Sequence, residues 1–420
     1  MTDSKTRENG VSVGLGTDAT IEGGGDSFAF LILLGASTVR LGGCLYLPAI
    51  PFIGERLAIS DANMAATVTY YFLGFALCGL LAGPFSDAYG RKVLIVGGAL
   101  VFVVGSLVCG MADSFATLLF GRVLQSFGAG MIPGTARAMV RDHCDDARVV
   151  SLMGWLSVLG VVMFVGAPAL GGLLTLYFGW RSNFVFLAGF GFLVGIVLLL
   201  WLPETLDLAR RSKLSPRTTL ANYVAMLLAP EFTLVTLPLF LSFVFQGAYI
   251  AGASFVFVRE LGVSPAEFGG LNVVLVFGLI LGRQIAVSMA KAGAVGRAFV
   301  IGGLAAPFAG ALFAYLAVST DSGGRLYVLL GALFMFSMSM GIVTPISMKS
   351  AITAFRERSG ETASLQAFAA LFGSAVGGAL FAWTARLIPE VSALVALSYV
   401  SVAVSALLPI ATFLGREKLR

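Results

Sequence analysis

Charge is what this sequence lacks most. Only 12% of its 420 residues are Asp, Glu, Lys or Arg, while 58% are hydrophobic and the mean hydropathy is +0.94. A soluble globule must still cover itself with polar surface, so this balance excludes that class and leaves a polytopic helical membrane protein. Histidine is nearly absent. The single His143 adjoins Cys144, and no second pair completes a metal site. Of the four cysteines, Cys44, Cys78 and Cys109 fall in apolar runs and Cys144 in a polar connection, which predicts free thiols and no disulfide. No nucleotide loop and no nucleophile–base pair is present, so neither an enzyme nor a bound cofactor is expected. All 22 acidic residues lie in tails, connections or span ends, and none lies inside an apolar run.

Twelve runs are long enough to span a bilayer: 28–50, 65–83, 93–111, 115–137, 149–175, 182–202, 232–257, 268–290, 298–317, 325–347, 361–385 and 391–414. The fold class is an all-α membrane protein with twelve transmembrane helices. With the amino terminus inside, 19 of the 27 basic residues fall in cytoplasmic segments, Arg137 among them, and 5 in outer loops. That bias predicts both termini to be cytoplasmic, and it accounts for the net charge of +5 without nucleic acid as a partner. Residues 1–27 read as a disordered cytoplasmic tail, without the apolar core or cleavage site of a signal peptide. The polar stretch 203–230 reads as a cytoplasmic linker between two six-helix halves, 28–202 and 231–420, as in parallel pseudo-symmetric repeats.

Six local patterns stand out. Gly83-Pro84-Phe85-Ser86-Asp87-Ala88-Tyr89-Gly90-Arg91-Lys92 joins the second and third runs, and its Gly and Pro predict a helix break and a tight loop. Arg122-x-x-Gln125-Ser126-Phe127-Gly128 opens the fourth run and places Arg122 and Gln125 on one helix face. Gly160 and Gly166-Ala167-Pro168-Ala169-Leu170-Gly171-Gly172 lie in the fifth, where Pro kinks a helix and Gly permits close packing. Tyr46-Leu47-Pro48-Ala49-Ile50-Pro51 closes the first, and Trp180-Arg181 and Leu202-Pro203-Glu204-Thr205 flank the sixth.

Together these patterns resemble the signatures of the major facilitator superfamily. The fifth-run pattern is similar to the antiporter motif of its exporters, and the end of the first run to the Bcr/CflA group of drug:proton antiporters. The resemblance implies the major facilitator fold, a multi-pass place in the bacterial inner membrane with lipid around it, and a monomer. It implies a small-molecule substrate and protons as a coupling ion. Gly83, Asp87, Gly90, Arg91, Gly166 and Pro168 are then the expected gating residues. The second half keeps only a worn copy of the first signature, because Gly293 stands where Asp87 would be in the stretch ending Gly296-Arg297. The gate is therefore expected to be one-sided.

Three basic residues lie within apolar runs: Arg40, Arg122 and Arg283. A charge in hydrocarbon costs roughly 3 kcal/mol or more, so each is a candidate lining a cavity. Arg283 follows Asn272 by about three helical turns and shares its face. Gln246 supplies a neutral polar contact, and Tyr46 lies next to the first-run proline. The expected substrate-binding set is thus Arg40, Arg122, Gln125, Arg283, Asn272, Gln246 and Tyr46. In the Bcr/CflA register Cys44 occupies the place of an acid, which removes the usual proton carrier. Guanidiniums without a carboxylate suit an anionic ligand, which Arg grips in a bidentate fork. The expected function is export of a small anionic or amphiphilic compound such as a metabolite, siderophore or antibiotic. Uptake by the same fold and a non-transporting membrane sensor are the alternatives.

Overall fold

The computed structural model describes residues 22–211, 216–318, 324–387 and 392–419. The tail assigned to 1–27 lies largely outside the described residues. Fifteen α-helices follow in chain order: α1 Glu22–Cys44, α2 Ile50–Arg56, α3 Asp61–Tyr89, α4 Arg91–Gly110, α5 Phe115–His143, α6 Asp146–Phe178, α7 Arg181–Trp201, α8 Pro216–Leu228, α9 Pro230–Ser254, α10 Pro265–Leu271, α11 Val273–Lys291, α12 Val295–Val318, α13 Arg325–Ala354, α14 Ser359–Leu387 and α15 Ala393–Gly415. They make 12 candidate spans: α1 with α2 forms the first, α10 with α11 the eighth, and α8 is a short helix of the central connection. Among the described residues no strand occurs. The chain is a multi-pass helical membrane protein.

Several helices outrun the apolar stretches that announce them. α3 was expected to break at Gly83 and Pro84, yet it continues through both to Tyr89, and only Gly90, at φ 109°, leaves the helix. The tight loop predicted for 83–92 is therefore one residue, because two prolonged helices need only one positive-φ position to turn. Pro84 lacks the N–H that would bond the Leu80 carbonyl, and the Tyr223 hydroxyl of α8 donates to that carbonyl instead, at 3.4 Å. α5 likewise runs to His143, so Arg137 sits within a span rather than in a connection.

The face carrying α8 is called the linker face below, and its opposite the far face. At the far face the two six-helix halves touch. Arg259, on a widened π turn ending α9, reaches Asp61 at the start of α3 at 2.6 Å and Glu55 of α2 at 3.7 Å. Arg386 donates to Asn63 at 2.6 Å, and Ser254 to the Leu47 carbonyl at 2.5 Å. α6 crosses α1 and α10 here with no room to spare. A Cβ at Gly171 would overlap the Leu45 carbonyl oxygen, one at Gly172 that of Pro265, and one at Gly269 the backbone of Ala169. Toward the linker face α6 and α11 turn exposed residues outward, among them Trp155 and Arg283.

Candidate functional site

Between the halves lies a cavity of about 340 Å³. α1, α3, α5 and α6 wall one side, and α9, α13 and α14 the other. Its two cationic lining residues are Arg40 of α1 and Arg137 of α5, and no Asp, Glu, Lys or His lines it. Arg40 is exposed to this space, with its guanidinium against α6. The guanidinium lies flat on α6 at Gly160, its carbon 3.5 Å from where a Cβ there would stand, an ordinary van der Waals distance. Arg137 is half-buried one turn beyond Pro133, within Coulombic range of Arg40. The opposite wall is apolar apart from Gln246, Ser364 and Ser374, with Phe243, Phe368 and Leu371 prominent.

The other predicted contacts are distributed differently. Arg122 and Gln125 were expected to face substrate, but they are 1% and 0% exposed and sit behind the wall. The Arg122 guanidinium is clamped between the Tyr46 and Tyr71 rings, 4.0 Å from each centroid. It donates to the Gly42 carbonyl at 3.1 Å and to Gln125 Oε1, whose amide donates to Ser106 Oγ at 2.7 Å. Cation–π contact and hydrogen bonds to both neighbours hold this charge within the first four spans, and among its buried nitrogens Nε has no hydrogen-bond partner among the described residues. Tyr46, fully buried, belongs to the same cluster. Tyr71 is the member whose ring also forms cavity wall.

Asn272 is buried at the break between α10 and α11, where it accepts from the Tyr249 hydroxyl at 2.7 Å and donates to the Phe268 carbonyl at 3.2 Å. It holds a helix joint and does not line the cavity. Arg283 does not line it either: it opens onto a separate basic hollow at the linker face with Lys291, Lys349 and the ion pair Lys418–Glu231. Helical periodicity put Asn272 and Arg283 on one face, but the break at Asn272 shifts that register. Gln246 and Arg40 are the two predicted contacts that share the cavity, joined by Arg137. Arg137 was overlooked because charge at the end of an apolar run reads as a solvated loop.

The expected gate residues at the linker face form one network. Arg91 pairs with Asp87 at 2.5 Å and with Asp142 of α5 at 3.1 Å, and donates to Ser86 Oγ at 2.5 Å. Glu204 accepts from the backbone N–H groups of Arg91 at 3.0 Å and Lys92 at 3.2 Å, capping the N-terminus of α4. The side-chain partners of Arg91 come from the first half, and Glu204 comes from the start of the connection that follows α7. Asp142 and Glu204 were not singled out as partners, although the Pro-Glu after the sixth run was a visible signal. In the second half the matching turn uses Gly293, at φ 71°, and Arg297 is exposed with no ion pair or hydrogen bond among the described residues. Gly83 and Gly166 face open space, whereas Pro168 is buried beside the tight crossing of Gly171 and Gly172.

A paired set of six-helix halves around a central cavity matches what comparison with known proteins finds. The family model of the Major Facilitator Superfamily matches residues 30–382. The chain belongs to the Major Facilitator Superfamily. Among its relatives, the multidrug resistance protein MdtL of Klebsiella pneumoniae (strain 342) is 35% identical over 191 residues, 46% of this chain and 47% of that protein. MdtL of Vibrio parahaemolyticus is 36% identical over 180 residues, 43% of this chain and 44% of that protein. The chain thus spans about half the length of the relatives it matches. A bacterial homolog of the human lysosomal transporter Spinster, in an inward-facing and unoccupied conformation, superposes with a TM-score of 0.72 at 18% identity, covering 96% of this chain and 98% of that one. A mutant of the nucleoside transporter NupG gives 0.72 at 11% identity over 92% and 98%. These likenesses carry the superfamily fold.

Proposed function

We propose that this facilitator is an exporter of small organic compounds, working by alternating access from the inner membrane of a bacterium. One observation carries the reading: a substrate-sized cavity lies at the joint of two halves that are latched at the far face and not at the opposite end of α6 and α11. Rocking of the halves about such a site exposes it to each side in turn. The bias of basic residues toward the linker face supports placing that face in the cytoplasm. A cavity awaiting load from the cytoplasm suits export. The Gly-Pro pattern of α6, similar to the motif of exporters, and the printed names of the MdtL relatives support the same direction.

The test does not need the substrate. Spin-label pairs at Asn63 with Arg386, and at Trp155 with Arg283, report the far and linker faces of the protein in liposomes. Two populations that move in opposite senses at the two faces are expected. One fixed distance at each face under all conditions contradicts alternating access. Flux measured with the pH gradient imposed in either direction then separates export from uptake.

A further inference from the structure

We infer that Arg40 and Arg137 together form the head-group site for an amphiphilic organic anion carrying two negative charges, its apolar body resting on the second half. This rests on the transporter reading above and names its substrate class. The cavity is asymmetric. Both guanidiniums project from the first half, Arg40 flat on α6 at Gly160 and Arg137 from α5. Neither has an ion pair or hydrogen bond to another described residue, while Arg91, Arg181 and Arg259 each have a carboxylate. The acid at the linker end of α5, Asp142, is taken by Arg91, and Cys44, one turn from Arg40, is a thiol.

Two unneutralised guanidiniums facing one cavity of a membrane protein repel each other and must find water or a counter-charge. A monocarboxylate satisfies one of them. A phosphate monoester or a pair of carboxylates satisfies both, through the charge-assisted forks that Arg provides. Facing them, Phe243, Ile250, Phe368 and Leu371 offer no charge and ask for an aromatic or aliphatic body. Gln246, Ser364 and Ser374 can accept or donate to neutral groups along that body. The arrangement reads charge on one half and shape on the other, so a ligand must bridge both to be held.

Four probes with a common ring separate the terms: 1-naphthyl phosphate, 1-naphthoate, 1-naphthalenemethanol and 1-naphthylmethylamine. Calorimetric titration of the full chain in detergent should rank them in that order, the phosphate at least about tenfold tighter than the carboxylate. Arg137→Gln and Arg40→Gln should each bring the phosphate down to the level of the carboxylate, and the double variant should abolish the difference between phosphate and alcohol. Arg137→Lys should recover part of the loss, which a merely structural role of Arg137 would not predict. Unliganded melting temperatures close to wild type confirm that the variants fold. An amine bound as tightly as the phosphate, an unchanged phosphate affinity in Arg137→Gln, or no binding of any probe at millimolar concentration overturns the assignment. Selective phosphate binding with no flux in proteoliposomes would keep this site and sink the transporter reading. Flux of a cationic dye without anion binding would do the reverse.

Discussion

At the far face the halves hold each other: Arg259 crosses to Asp61 and Glu55, Arg386 to Asn63, and the glycines of α6 press against Leu45 and Pro265. At the linker face the first half holds itself, since Arg91 ties α3, α4 and α5 together and Glu204, just past α7, fastens the start of the connection to α4. Further along the connection, the Tyr223 hydroxyl of α8 also reaches into the first half, at the Leu80 carbonyl. The difference separates two jobs often given to one motif. Bonds within a half make it move as a rigid body, and bonds between halves decide which face is closed. The far-face bonds are few and largely exposed to solvent, which suits the proposed alternating access, in which they break on every cycle. The network around Arg91 is more buried and need not break for the halves to rock.

The largest effect is therefore expected from Arg91→Ala. It leaves Asp87 and Asp142 without their shared cation and removes the bond to Ser86. Breaking a buried pair from one side costs about 3–5 kcal/mol, and the partial exposure of both acids lowers this to roughly 2–3 kcal/mol. Arg297→Ala, at the equivalent turn of the second half, removes no described partner and should stay within about 0.5 kcal/mol. Thermal unfolding followed by tryptophan fluorescence compares the two. Equal losses would show that the halves are secured alike, against the one-sided network described above.

A smaller effect is expected at the far face from Gly172→Ala. The new methyl would overlap the Pro265 carbonyl and force α6 from α10, at about 1–3 kcal/mol against the closed far face. Gly166→Ala, six residues earlier, meets open space and should be neutral. Labelling of a cysteine placed at Asn63 reads the result: faster in Gly172→Ala, unchanged in Gly166→Ala. Equal rates in both would mean that the crossing does not seal the far face.

Much of this was legible in the sequence. Twelve apolar runs gave twelve spans because hydrocarbon thickness fixes their length, and Gly90 was readable as a turn. Arg40 and Gln246 were recognised because polar groups inside apolar runs are costly wherever they point. What failed was the direction in which such groups point. Arg122 is satisfied by two tyrosine rings that lie 51 and 76 positions earlier, and local spacing does not register such partners. Arg137 and Asp142 were lost for a related reason. Hydropathy marks where the bilayer ends rather than where the helix ends: Arg137 closes the apolar run, and α5 continues past it to carry Asp142. Pro84 was overread as a helix breaker because its orphaned acceptor finds a donor from a helix of the central connection.

That donor sets the smallest prediction. Tyr223 lies on α8, whose neighbouring Asn222 donates to Glu361 at 3.0 Å and accepts from Arg358 at 3.3 Å. α8 thus bridges the Pro84 kink of α3 and the start of α14, which share no direct hydrogen bond or ion pair among the described residues. Tyr223→Phe keeps the ring in its apolar pocket and deletes only the hydroxyl. At 3.4 Å the lost bond is worth about 0.5–1 kcal/mol. Burial, helped by the negative charges of Glu361 and Asp87, pushes the Tyr223 phenol up from 10.0 to about 12. The folded protein therefore favours the protonated phenol. The contribution is fully present below the ordinary phenol range and is lost as pH rises through about 12. The stability difference between wild type and Tyr223→Phe, measured by thermal unfolding, should be constant near neutrality and shrink as the pH is raised from 10.0 toward 12. A difference that grows over that interval, or no difference at neutrality, would mean that the hydroxyl does not serve the Leu80 carbonyl and that α8 is not fastened to the first half at the kink.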